Sequence, residues 1–127
     1  MLRRVWIDGW QMQCCGESFR VNEYVELSTS AEVDREFLGV VLGEESAAAL
    51  TDYEDHHDLD VAPMTPLAGQ VETIEAVSCR YVQQDRVMLP VPGTTHVVVK
   101  DEATGWEPED DGHGLRFVGY VVTVRTG

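Results

Sequence analysis

From Gly69 to Val82 the chain alternates. Val77, Cys79 and Tyr81 fall on one face, and Ser78, Arg80 and Val82 on the other. Side chains of a strand point to opposite faces in turn, so this period of two predicts a long β-strand. The phase set by Val71 and Thr73 slips near Glu75, which predicts a bulge there. A strand this long needs neighbours, and the rest of the chain supplies them. Arg3 to Asp8 holds Val5, Trp6 and Ile7 and reads as a strand. After a turn at Asn22-Glu23, Tyr24 and Glu26 point one way and Val25 and Leu27 inward. His96 to Lys100 and Leu115 to Val124 read as two more strands. In the last, Phe117, Val121 and Thr123 share no clean phase with Leu115 and Tyr120, and Gly119 predicts a bend.

Helical spacing occurs in one place. Thr29-Ser30-Ala31-Glu32 fits the capping box, and Val33, Phe37, Val40 and Val41 recur at helical intervals. Gly39 weakens that helix and Gly43 ends it. A second helical piece runs from Glu44 to about Tyr53. Asp52 to Asp60 is then a charged, exposed stretch, continued as a loop by Pro63 and Pro66. Pro90 and Pro92 mark a further loop. The expected fold is therefore α+β and mainly β, a single domain over residues 1–127. Its strands are too few and short for a sandwich. A small curled antiparallel barrel, SH3-like or OB-like, is expected, with a helical insertion between the second and third strands.

Charge narrows the functions. Nine basic residues face 23 acidic ones, a formal net charge of −14. The nine are scattered, and only Arg3-Arg4 cluster. A nucleic-acid or anionic-membrane surface needs a basic face, so neither partner is expected. A basic protein is the expected partner, and the oligomeric state is left open. No apolar run approaches the roughly 18 residues that span a bilayer. Asp8 interrupts the first apolar stretch, so no signal peptide is read. Three cysteines without framework spacing then fit reduced thiols in the cytoplasm.

Adjacent Cys14 and Cys15 beside Gly16 are the nearest thing to a chemical signature. With Cys79, His56 and His57 they make up the thiolate and imidazole set that zinc prefers, and zinc is the one cofactor the residues admit. Against it, C-x-x-C is absent, and adjacent side chains can chelate one ion only in a turn. A Cys14–Cys15 disulfide would be strained and easily reduced, and a reducing cytoplasm disfavours it. A thiol nucleophile with His56, His57 or His113 as base needs groups that no spacing brings together. The run Asp52-x-Glu54-x-His56-x-Asp58 lacks the central glycine and final glutamate of a calcium loop. Trp10, Trp106 and Tyr53 are the candidate binding aromatics, whereas Trp6, within a strand, reads as core.

The run Trp10-Gln11-Met12-Gln13-Cys14-Cys15-Gly16-Glu17-Ser18-Phe19 resembles a family of small uncharacterised actinobacterial proteins. His56-His57, Ser78-Cys79-Arg80-Tyr81, Gly105-Trp106-Glu107-Pro108 and Gly114 to Tyr120 extend the resemblance over nearly the whole chain. It implies a bacterial cytoplasmic protein and no particular activity. The function expected is a non-enzymatic interaction domain that presents an acidic surface to a basic partner. The alternative is a zinc- or thiol-dependent protein centred on Cys14, Cys15 and Cys79. A small-molecule enzyme would need a concave polar pocket, which a sequence does not reveal.

Overall fold

The computed structural model describes residues 1–14, 16–55, 64–109 and 112–127. In chain order the elements are β1 (Leu2–Asp8), α1 (Gly9–Cys14), β2 (Phe19–Arg20), β3 (Tyr24–Ser30), α2 (Arg35–Leu42), α3 (Glu44–Ala48), β4 (Asp52–Glu54), β5 (Thr65–Gln84), β6 (Val87–Pro90), β7 (His96–Lys100), β8 (Glu102–Ala103) and β9 (Leu115–Arg125).

The long alternating run is β5, and it organises everything else. Its 20 residues would reach roughly 66 Å if straight. A chain of this size has a radius of gyration of only about 14 Å, so β5 must curve. Register shifts between Val71 and Thr73, and between Val77 and Ser78, do the bending. They flank the single bulge expected near Glu75. Along its length β5 pairs with β9 on one side and with β3 and β7 on the other. β3 also pairs with β4, β4 with β1, and β1 with β9. The pairings thus return to β5 and form a ring of five strands. The expected wholly antiparallel order is corrected: β1 and β4 run parallel, Trp6 opposite Tyr53. β3 makes this possible, because it runs antiparallel to β4 and so carries the chain back, and α2 and α3 return it to β4 at the same end, Ser30 opposite Tyr53.

Two apolar clusters share the strands. One lies within the ring and holds Val5, Ile7, Val71, Ile74, Tyr120, Val122 and Val124. Val25 and Leu27 pack against it, as their inward phase predicts. The other lies outside, where α2 and α3 cover Trp6, Val77, Cys79 and Val121 with Leu38, Val41, Ala47 and Leu50. β1 and β9 are therefore buried on both faces, which erases the polar alternation of a half-exposed strand. That is why β9 shows no single phase. Gly119 sits where a Cβ would come within 2.6 Å of the Trp6 indole, so glycine allows close approach of β9 to β1.

The helical insertion stands where it was expected, but its edges differ. Thr29 and Ser30 belong to β3, and Asp34 caps α2 by accepting from Phe37 N at 3.1 Å. Gly43, at φ +92°, ends α2. α1 follows β1 directly, where no helix was expected, β4 replaces the end of the second helix, and β6 replaces the loop at Pro90. The chain ends meet: the Met1 amine donates to Thr126 O at 2.9 Å, and Thr126 N donates to Met1 O at 2.8 Å.

Candidate functional site

α1 is one and a half turns long and amphipathic. Gln11 and Met12 point inward, while Trp10, Gln13 and Cys14 lie on the exposed side at i, i+3 and i+4. The turn before Trp106 is clamped onto this helix. Gln13 Nε2 donates to Gly105 O at 2.8 Å. A Cβ at Gly105 would come within 2.8 Å of Met12, and its φ of +87° suits glycine alone among common residues. Trp10, 52% exposed, and Trp106, 71% exposed, are thereby held on neighbouring segments.

A polar relay fixes the Trp106 turn from below. Tyr120 Oη accepts from Gly105 N at 2.9 Å and donates to Glu107 Oε2 at 2.7 Å. Lys100 Nζ stands 3.1 Å from the other Glu107 oxygen. Burial, with the Glu107 carboxylate adding to it, pushes the Tyr120 phenol well above its ordinary pKa, so it remains a neutral donor. The relay and the small β2–β8 pairing, with Arg20–Glu102 at 2.8 Å, keep residues 101–107 in place.

Beside α1 opens a hollow of about 710 Å³. Ile7, Met12 and Phe19 form its apolar floor, and Glu17, Glu23 and Glu26 stand at its rim. Met12 thus faces the hollow while Trp10, on the same helix, faces solvent. Such a hollow can take a cationic side chain with its aliphatic stem on the floor and its head among carboxylates.

The remaining candidates fall elsewhere. Tyr53 lies in β4, half-buried against the outer cluster. Cys79 is fully buried in that cluster, and burial pushes its thiol pKa up. Cys14 is exposed at the end of α1. Cys15, His56 and His57 lie outside the described residues. Among the described residues no three His, Cys, Asp or Glu side chains gather as metal ligands. No helix among them is long and apolar enough to cross a membrane.

Sequence reasoning missed two features. The first is the hollow itself: Glu17, Glu23 and Glu26 are close in sequence, but the apolar floor they surround is assembled from β1, α1 and β2 only by the fold. The second is an apolar wing. β6 and β7 expose Val87, Met88, Leu89, Val97, Val98 and Val99, each at 41% or more. A signal for it was available: residues 87–99 are the longest run without Asp, Glu, Lys or Arg.

Comparison with curated proteins and with solved structures finds no match. The pattern of a family of unknown function, DUF6578, matches residues 1–126, and the chain belongs to that family.

Proposed function

We propose that this chain is a non-enzymatic interaction domain that binds a basic protein through the face built on α1. The observation that carries this reading is the double role of that short helix. It presents Trp10 outward beside the clamped Trp106 turn, and it lends Met12 to the glutamate-rimmed hollow. Two large, positioned aromatics can anchor a partner at little entropic cost. The hollow receives one of the partner's Arg or Lys side chains. The −14 charge steers the encounter, so the association rate falls as salt rises. In this reading the chain works in the cytoplasm of an actinobacterial cell, as its resemblance implies.

A photo-crosslinking residue introduced at Tyr24, on the hollow's wall, tests the proposal. It should capture a basic protein at low salt and lose it at high salt. Changing both Trp10 and Trp106 to Ala should weaken capture by about tenfold or more, the effect of losing a single hot spot. Capture indifferent to both salt and tryptophans would refute the reading. The zinc alternative would draw on Cys14, Cys15, His56 and His57. Cys79, buried among apolar side chains with its thiol held protonated, is poorly suited to thiolate ligation.

A further inference from the structure

β7 is an open edge. One side of it pairs with β5, from Ile74 opposite Lys100 to Ser78 opposite His96. Among the described residues no strand pairs with its other side. Backbone donors and acceptors on such an edge are a template for another strand. Proteins usually blunt these edges with proline, a bulge or inward charges, and His96-Val97-Val98-Val99-Lys100 carries none of them. Its single full charge, Lys100, is engaged by Glu107.

The edge is also greasy and firmly held. Val99 is 75% exposed, and Val97 and Val98 are 45% and 43% exposed. With Val82, Val87, Met88 and Leu89, the wing holds seven of the 12 large apolar side chains exposed among the described residues. Its base is pinned. Val91 N donates to Arg80 O at 2.8 Å, Arg80 N donates to Thr94 Oγ1 at 3.0 Å, and Thr95 Oγ1 donates to Val41 O on α2. Exposure of this kind marks an interface more often than chance.

Charge decides what covers it. A basic partner is drawn to the acidic hollow and finds no carboxylate anywhere in residues 87–99. The surface complementary to an uncharged apolar edge is another such edge, and the wing of a second copy is one. Meeting wing to wing also lets two chains of −14 each associate through their longest uncharged stretch. The sequence suits two-fold pairing. With antiparallel strands centred on Val98, Val98 faces its own copy, Val97 faces Val99, and His96 faces Lys100. Apolar pairs then occupy the centre and polar ones the ends.

We infer that β7 pairs antiparallel with β7 of a second copy of this chain, which joins two rings into a dimer through the wing. Sedimentation of the wild-type protein across a wide concentration range should give twice the mass of one chain at the upper end. Val99→Glu puts a carboxylate at an exposed position where folding tolerates it, and it should leave a single chain with unchanged circular dichroism. The even-numbered residues of β5 turn their backbone groups toward β7, so Val98 pairs inward with Ala76 and the donors on the open edge belong to Val97 and Val99. Val97→Pro removes one of these outward donors and should do the same. Amide exchange along β7 should slow at least tenfold in the dimer. A wild-type protein that stays monomeric throughout overturns the inference. So does a dimer that Val99→Glu leaves intact, or one in which β7 amides exchange as fast as in the monomer. None of these results bears on the α1 face, whose test reads salt and tryptophan dependence.

Discussion

Asp8 closes β1 at the point where the chain turns into α1, and its carboxylate is largely withdrawn from water. Burial raises its pKa, and nearby Asp55 and Asp34 add to the rise. The Trp6 indole N–H, donating to Oδ1 at 2.8 Å, opposes it. A carboxyl with a raised folded pKa is most stabilising while protonated. Its contribution is complete below the ordinary value near 3.8 and is lost as pH climbs through the raised folded value. Ionised Asp8 therefore works against folding at neutral pH. Asp8→Asn keeps an acceptor for Trp6 and removes the charge, so thermal unfolding at pH 7 should show a higher Tm than the wild type. The gap should close as pH is lowered toward 4, and a gap that is constant with pH would contradict this account. Nothing in the sequence marked Asp8, because its environment is made by α1 and by Asp34 and Asp55, both far along the chain.

The β5–β6 hairpin turns at Asp85 and Arg86, with φ of +50° and +69°. Two consecutive left-handed residues match the right-handed twist of the strands, and Asp-Gly is the favoured pair for such a turn. Arginine at the second position carries a Cβ penalty that glycine escapes. Arg86→Gly should stabilise the protein by about 0.5–1 kcal/mol, read as a higher urea midpoint at unchanged slope. No change or a loss would place the strain elsewhere. The same hairpin shows where sequence reading stops at this scale. β5, β7, β9 and the helical insertion were legible because length and period favoured them. β6 was hidden by Pro90 and Pro92, which read as loop although Pro90 merely ends the strand opposite Tyr81. α1 has six residues, too few to display a helical period. Thr29 and Ser30 offered a capping box, but pairing with β4 and β5 claimed them for β3.

At the scale of the whole molecule, the acidic surface is the property composition announced and the fold arranges. Carboxylates outnumber their cationic partners, so folding gathers like charges that the unfolded chain keeps apart. Raising the ionic strength from low to physiological should screen them and raise Tm by about 2–5 °C, the shift of a change near 1 kcal/mol in a chain this size. A flat response would mean that the carboxylates are spaced widely enough not to repel. What was legible of the expected fold is its mainly β content and the curvature of its sheet. The parallel β1–β4 contact was not, since pairing direction depends on where a crossover lands. Trp10 and Trp106 were legible as exposed aromatics, whereas the nearness of the segments that carry them follows from the Gly105 clamp. The meeting of the chain ends has a mechanical meaning. Because Met1 and Thr126 are hydrogen-bonded to each other, a pull on the two ends would load the β1–β9 ladder from its tip. The rungs would break in succession, like a zipper, instead of sharing the load in shear. Tethered by its ends, the protein should open at low force, and its outermost rungs should go first.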